Sequence, residues 1–373
     1  MPLIDMPDFS GALLDDFARR GAERVDTPVI QPAEPFLDMA GEDLRRRIFM
    51  TASETGESLC LRPEFTIPVC LRHIETATGT PKRYAYLGEV FRQRREGPNE
   101  FYQAGIEDLG ETDVAAADAR ALGDAIAILA DLLPGRTLDV TLGDQTVFEA
   151  VVAACGLPAG WQKQLIHAFG NAARLDALLA RLRTPQPVTG LSPEVEALLA
   201  DADEEALVRW IDGRMEETGY STNASRSPAD IARRLRDKLS LARIALDGRT
   251  LSILREFLSI DVPLSEAPAV LFRFAETSGL RLDGALSLFD ARVAALGRAG
   301  VGTAPIAYRA AFGRPLDYYT GLVFEVVAHG ETAVLAGGGR FDRLMTLLGA
   351  RTRIPAVGFS LWLDRIDALR GRA

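Results

Sequence analysis

The sequence predicts an α+β fold, in which an antiparallel sheet is flanked by helices and a helical region is inserted between two β-rich ends. Short segments of alternating apolar and polar residues, typical of strands, occur at both ends of the 373-residue chain. From about residue 145 to 297, leucine, alanine, arginine and glutamate dominate at helical spacing. The length allows two domains. We therefore expect a core of residues 1–155 and 298–373, with a helical insertion at 156–297.

The first β-rich end begins with an amphipathic helix, because apolar residues recur at helical spacing within residues 8–21. Asp8 and Ser10 are its expected caps. The elements expected next are a hairpin of 47–53 and 57–62, a helix over 63–77, long strands at 82–93 and 100–110, a helix over 112–133 and a strand at 137–142. At the second β-rich end we expect strands at 304–312, 322–328 and 332–339, a helix from Arg340 and a final helix after Gly358.

Charge and composition exclude several classes of protein. A net charge of −10 argues against binding along a nucleic-acid backbone, although a small basic pocket remains compatible with it. Cys60, Cys70 and Cys155 form no C-x-x-C pair, so neither a disulfide framework nor a structural zinc site is indicated. The acidic amino terminus does not resemble a signal peptide, and no apolar run approaches the roughly 20 residues that span a bilayer. We expect a soluble cytoplasmic protein without a metal or cofactor, and with no nucleic-acid or membrane contact.

Polar residues cluster in four segments of the β-rich ends. Glu64 and Thr66 are expected to end a strand, while Gln103 and Glu107 share one face of a later strand with Gly105 between them. A surface with two carboxylates, one amide and a glycine that leaves space above the strand suits a small ligand with an ammonium group. The alternative is that the two glutamates pair with arginines at the surface.

The remaining two segments carry weaker signals. The GGGR run at 337–340 is expected between a strand and a helix, where its N–H groups could face an anion, although a tight turn is the more ordinary interpretation. Tyr318 and Tyr319 are adjacent, so on a strand at most one of them would line a pocket. Arg314 could bind a carboxylate or phosphate, or could simply be solvated.

Five motifs in this order resemble the catalytic core of class II aminoacyl-tRNA synthetases, histidyl-tRNA synthetase in particular. The resemblance implies a six- to seven-stranded antiparallel sheet and a dimer formed through the first helix and the motif 1 region. It also implies a histidine pocket lined by Glu64, Thr66, Gln103, Glu107, Tyr318 and Tyr319. The matching segments are LRPEFT (LRPEGT in the family), VFRQRREGPNEFYQAGIE (motif 2), RPLDYYTGLVFE (RGLDYYTxTVFE), GGRFD (GGRYD) and GFSLWLDRI (motif 3).

Departures from the synthetase pattern affect nucleotide and tRNA recognition. Arg94 replaces the glutamate of the motif 2 F-R-x-E pattern, and Trp362 stands where motif 3 has a glycine that leaves room for the nucleotide. The motif 2 loop is also short, and the few residues after Arg365 leave no anticodon-binding domain.

These departures resemble the regulatory subunits of ATP phosphoribosyltransferase, a family paralogous to histidyl-tRNA synthetase. That resemblance implies a non-catalytic subunit that joins a short-form catalytic subunit in a hetero-octamer. It would support the first step of histidine biosynthesis, with allosteric feedback by histidine. Arg92 and Arg314 are retained as anion or carboxylate contacts, and Arg365 is also retained. The alternative of a truncated class II enzyme that activates an amino acid for a non-tRNA acceptor therefore stays open.

Overall fold

The computed structural model describes residues 5–39, 41–95, 97–184, 192–200, 203–217, 227–242, 246–314, 316 and 318–371. The strands are β1 (Glu23–Arg24), β2 (Ile30–Pro32), β3 (Met50–Ala52), β4 (Ser58–Leu61), β5 (Lys82–Phe91), β6 (Glu100–Leu109), β7 (Leu138–Asp144), β8 (Asp261–Pro263), β9 (Ile306–Arg309), β10 (Leu322–Ala328), β11 (Val334–Arg340) and β12 (Ala356–Trp362). The helices are α1 (Ser10–Arg19), α2 (Glu34–Met39), α3 (Gly41–Arg45), α4 (Thr66–Glu75), α5 (Val114–Leu132), α6 (Gln145–Ala154), α7 (Ala159–Ala168), α8 (Ala172–Arg181), α9 (Pro193–Ala200), α10 (Glu204–Glu217), α11 (Pro228–Ala242), α12 (Gly248–Leu258), α13 (Ala267–Ser278), α14 (Asp283–Arg298), α15 (Asp342–Leu347) and α16 (Leu363–Arg370).

A nine-stranded sheet in the order β1-β5-β6-β12-β11-β10-β7-β9-β8 forms the centre of the described chain. Its strands are antiparallel except for the parallel pairs β1 with β5 and β7 with β9. The α+β class with an antiparallel sheet is therefore confirmed, whereas the expected six to seven strands are corrected to nine. The outermost strands have two and three residues, too short for an alternating pattern to reveal them.

The predicted elements of the first β-rich end are confirmed in position. The hairpin of β3 and β4 forms, and β2 adds a third strand on the other side of β4. β5 and β6 pair over their full length, from Lys82 opposite Leu109 to Phe91 opposite Glu100. The sequence did not predict β2, which lies in a segment interrupted by prolines.

Two predicted boundaries are wrong. Neither Asp8 nor Ser10 caps α1: Phe9 occupies the cap position without a side-chain bond, and the Ser10 hydroxyl is buried without a partner. The final helix begins at Leu363 rather than after Gly358, because the residues between them complete β12. β12 is buried along most of its length, so apolar side chains face both sides of it, as in the interior of a covered sheet.

The middle of the chain is mainly helical where it is described, and β8 from this region pairs with β9 at the edge of the sheet. One hydrophobic cluster joins the sheet to α6, α7, α8, α12, α13 and α14. A separate cluster around Leu207 and Ile211 joins α9, α10 and α11. The division into a core and a 156–297 insertion stays a prediction.

A network of buried charges connects α14 to the sheet. Arg292 donates to Asp118 of α5 and to Asp144 at the end of β7, both at 2.6 Å. Arg340, the last residue of β11, donates to Asp118 and Asp342, both at 2.8 Å. The five side chains are no more than 11% exposed. Each charge faces an opposite one, which compensates the loss of solvation.

Candidate functional site

A cavity of about 40 Å³ lies over β6, β12 and β11 at the centre of the sheet. All eight residues singled out from the sequence contribute to its wall. A volume of this size holds a few water molecules, so side chains must move apart to admit a larger ligand. The lining residues are Glu64, Thr66, Arg92, Gln103, Glu107, Arg314, Leu316, Tyr318, Tyr319, Gly337, Phe341, Gly358, Phe359, Ser360 and Trp362.

Glu64 lies just before α4, as the helix predicted over 63–77 implies, and not at the end of a strand. β4 ends at Leu61, and Thr66 is the first residue of α4. The Glu64 carboxylate accepts bonds from the backbone N–H groups of Thr66 (2.7 Å) and Ile67 (2.9 Å), which would otherwise be unpaired in the first helical turn. Burial raises the pKa of Glu64, although these bonds and the charge of Arg92 oppose the shift.

Glu107 and Gln103 project into the cavity from β6, as their spacing predicts. The Thr66 hydroxyl donates to Oε1 of Glu107 at 2.7 Å. Glu107 Oε2 and Gln103 Oε1 are buried and have no hydrogen-bond partner in the part of the chain that the structure describes. Burial raises the pKa of Glu107 well above its usual range, and the charge of Glu64 adds to the shift. Glu64 is 4% exposed and Glu107 1%, so the alternative of surface pairing with arginines is wrong.

Gly105 has a different role from the open floor that the sequence suggested. A Cβ atom here would overlap the Tyr86 hydroxyl and the Phe359 carbonyl oxygen. Tyr86 fills this space, and its hydroxyl bonds to the hydroxyl of Ser360 at 2.7 Å. Gly105 therefore allows β6 to pack closely against the ring of Tyr86, and it does not open space for a ligand.

The glycines of the GGGR run lie within β11 and pair with β10 and β12, so the predicted turn is wrong. Their N–H groups belong to a strand inside the sheet and do not form an anion-binding turn. A Cβ atom at Gly337 would overlap the guanidinium of Arg314, and one at Gly358 would overlap the carboxyl group of Glu107. The strand expected at 332–339 is thus confirmed, and the glycines do permit close approach, as the ordinary interpretation of the run assumed; the side chains that approach them could not be named from the sequence.

Two arginines bring positive charge to the cavity. Arg92 donates from Nε to the backbone oxygen of Pro63 at 2.6 Å, and burial lowers its pKa to about 10. Arg314 donates from Nη1 to Glu325 at 2.9 Å, and its side chain is 8% exposed. The alternative of a solvated Arg314 is therefore wrong. Arg92 therefore keeps its charge at neutral pH.

Both tyrosines line the cavity, in agreement with the residues that the resemblance named, whereas the inference from strand alternation that at most one would do so is wrong. Tyr318 lies in a turn and Tyr319 in irregular structure, so their side chains need not alternate. Their ring centroids are 5.1 Å apart. The next residue, Thr320, fixes this segment: its N–H donates to the Arg340 carbonyl at 2.8 Å, and its hydroxyl accepts from the N–H of Asp342 at 3.1 Å. The buried charge network thus also supports one wall of the cavity.

Trp362 closes the side of the cavity next to α16. It is 7% exposed, and the guanidinium carbons of Arg314 and Arg365 lie 5.7 and 5.1 Å from its ring centre. Arg94 lies over the Phe101 ring at 3.7 Å. The indole of Trp362 and the guanidinium of Arg94 occupy space near Arg92, which the sequence analysis gave as an anion or carboxylate contact.

A larger cavity, of about 790 Å³, lies between α5, α14 and β7. Its lining combines small residues such as Ala116 and Gly123 with charged ones such as Arg120 and Asp124. None of the predicted site residues contributes to it. Across the described residues, no helix combines the length and hydropathy of a membrane span, and no three His, Cys, Asp or Glu side chains are grouped as metal ligands.

Comparison with known proteins gives close relatives along the whole chain. A family profile described as histidyl-tRNA synthetase matches residues 6–210 and 234–366. The chain is 72% identical over 372 residues to an ATP phosphoribosyltransferase regulatory subunit of Allorhizobium ampelinum, with 100% of both chains covered. The regulatory subunit of Rhizobium rhizogenes is 70% identical over 370 residues, which cover 99% of this chain and 100% of the relative.

A solved structure from Bacillus halodurans, described as an ATP phosphoribosyltransferase regulatory subunit/histidyl-tRNA synthetase, has the same fold. It aligns with a TM-score of 0.65 and 19% identity, over 98% of this chain and 81% of that chain. The predicted family and fold class are confirmed. On its sequence matches, the chain belongs to the family of ATP phosphoribosyltransferase regulatory subunits, built on the fold of histidyl-tRNA synthetase.

Proposed function

We propose that this chain binds free histidine in the cavity described above and transmits its occupancy to the catalytic subunit of ATP phosphoribosyltransferase. Its close relatives are regulatory subunits, so the chain acts in histidine biosynthesis as a regulator and not as a catalyst. The observation that carries the histidine proposal is the set of buried, unpartnered acceptors at Glu107 and Gln103. Buried polar groups normally have partners, and an exception calls for a donor from outside the chain.

The charges of the cavity match a free amino acid. Glu64 and Glu107 offer acceptors for an ammonium group, while Arg92 and Arg314 offer donors for a carboxylate. The Nε–H group of Arg314 is buried and has no hydrogen-bond partner among the described residues, so it can donate to the carboxylate of the ligand. A zwitterion satisfies both sets at once, whereas a simple cation or anion satisfies only one.

We expect calorimetric titration of the chain with histidine to give a saturable heat, which weakens in Glu64→Ala and Glu107→Ala. A hydrogen bond to a charged group contributes about 1.5–3 kcal/mol, so each variant should bind about 10- to 150-fold more weakly. Glu57→Ala removes an exposed carboxylate and is the matched control. Unchanged heats in both cavity variants would place the histidine site elsewhere.

We propose that the partner is the short-form catalytic subunit, in a hetero-octamer, and that the chain also self-associates as a dimer. The proposed dimer contact involves the first helix and the motif 1 region. Leu13 and Phe17 of α1 are buried within the protomer, so α1 would contribute its opposite side. Val29, Ile30 and Met50, near and within the small three-stranded sheet, are exposed apolar residues that a partner could cover. We also propose a cytoplasmic location, because free thiols such as Cys60 and Cys70 suit a reducing compartment.

We expect histidine and the substrates of the partner to oppose each other's binding in the reconstituted complex. A non-catalytic chain alters flux only by binding differently to active and inactive assemblies, and such coupling is typically 1–3 kcal/mol, or about 5- to 150-fold. The measurement is histidine affinity with and without phosphoribosyl pyrophosphate and ATP, alongside inhibition of phosphoribosyl transfer. If Glu107→Ala loses histidine binding at the cavity but stays inhibited at the wild-type histidine concentration, the sensor lies on the partner.

The alternative, a truncated enzyme that activates an amino acid, is not favoured. The full-length relatives carry the name of a regulatory subunit. Trp362 and Arg94 also crowd the region beside Arg92 in which a nucleotide would have to fit.

A further inference from the structure

Glu107 combines deep burial with an incomplete set of hydrogen bonds. It is 1% exposed, Thr66 donates to its Oε1, and its Oε2 has no donor among the described residues. Gly358 packs directly against the carboxyl group, which keeps water from that side. An ionised carboxylate in such a place would contact at most the few water molecules of the cavity and would face no counter-charge among the described residues. Building on the proposed function, we infer that histidine binding releases one proton from Glu107 to solvent, so that occupancy of the cavity depends on pH.

Among the residues that the structure describes, no cation faces Glu107 to compensate its ionised form. The arginines of the cavity act on other groups, since Arg92 faces Glu64, and Arg314 faces Tyr319 and Glu325. Gly337 of β11 and Gly358 of β12 carry no charge. The titratable groups around Glu107 are Glu64 before α4, Cys70 on α4, Tyr86 on β5, and Tyr318 and Tyr319 before β10.

These surroundings determine the direction of the effect. Burial is the main cause of the raised pKa of Glu107, and the charge of Glu64 raises it further. The hydrogen bond from Thr66 and the nearby Tyr86 hydroxyl lower this pKa, but not enough to cancel the rise. The empty protein therefore holds a proton on Glu107 at pH values at which an exposed glutamate is ionised.

A bound ammonium group reverses this balance, because an opposite charge in a low-dielectric site favours the carboxylate. The ammonium group already carries its full set of protons, so the proton of Glu107 leaves for the solvent. Histidine affinity must then rise with pH wherever the empty site is protonated, by up to about tenfold per pH unit.

The test is titration of the full chain with histidine in phosphate and Tris buffers, which differ in ionisation enthalpy, at about pH 8, where free imidazole is neutral. We expect the heats to differ between buffers in the direction of proton release, by an amount of up to one proton per site. Glu107→Gln keeps the shape of the side chain and should remove the buffer dependence. Glu57→Gln, an exposed carboxylate, should retain it.

A second measurement does not require a folded variant. The infrared difference spectrum of the wild-type chain should lose a protonated-carboxyl carbonyl band when histidine binds. Histidine binding with equal heats in all buffers and no loss of this band would overturn the proton release while leaving the proposed function intact. Absence of histidine binding in every buffer would overturn both.

Discussion

Replacing Arg292 by methionine is expected to lower the free energy of unfolding by about 3–5 kcal/mol, because it breaks a buried ion-pair network from one side. Asp118 and Asp144 would remain buried, and each would lose its bond to the guanidinium. Asp118 keeps Arg340, and Asp144 keeps the N–H groups at the start of α6, so their charges are only partly compensated. Methionine has a similar length, so the loss reflects uncompensated charge more than a new void.

Urea unfolding followed by circular dichroism measures this loss. Arg309→Met is the matched control, because Arg309 pairs with Asp261 at 3.1 Å on the surface, with both side chains more than half exposed. Exposed pairs of this kind contribute about 0.2–1 kcal/mol. Equal losses in the two variants would mean that the buried network contributes no more than a surface pair.

Replacing Gly337 by alanine is expected to weaken histidine binding about 10- to 150-fold while leaving the fold intact. The three atoms nearest to the added Cβ all belong to the guanidinium of Arg314, the far end of a long side chain, so the chain can relax by moving that group. Moving it removes a donor from the cavity, and a charge-assisted hydrogen bond is worth about 1.5–3 kcal/mol. The expected result is thus lost affinity at nearly unchanged unfolding free energy.

Calorimetric titration together with urea unfolding separates these two effects. Gly213→Ala is the control: Gly213 lies on α10 with open space around it, so alanine should stabilise that helix by about 0.5–1 kcal/mol and leave binding unchanged. Wild-type affinity in Gly337→Ala would show that Arg314 does not contact the ligand.

Prediction from the sequence succeeded where one local rule determines on which face of an element a side chain lies. Gln103 and Glu107 share a face because strand side chains alternate with a period of two, and β6 keeps that period through the cavity. The helix predicted at 63–77 forms as α4 (Thr66–Glu75), although its first turns are buried on all sides and show no one-sided apolar pattern.

Prediction failed where tertiary contacts override the local pattern. Tyr318 and Tyr319 were assigned to a strand. Instead, the hydrogen bonds that join Thr320 to Arg340 of β11 and Asp342 of α15 hold this segment outside a strand. The role of Gly337 depends on Arg314, which comes from a loop and not from a neighbouring residue of the strand. Such pairings follow from how strands and loops meet in space, and neither period nor propensity encodes them.

The pairing of β6 with β12 also bears on how the protein is made. Gln103 on β6 pairs with Trp362 on β12. The edge of β6 that faces β12 therefore stays unpaired until nearly the whole chain has left the ribosome. At roughly 5–20 residues per second, this delay is on the order of tens of seconds. Sheets that depend on contacts between residues far apart in sequence fold slowly, and their strand edges stay unpaired until the partner strand is added. Newly made chains should therefore depend on chaperones until the last strand is inserted, and the proposed histidine site should be among the last parts of the protein to form.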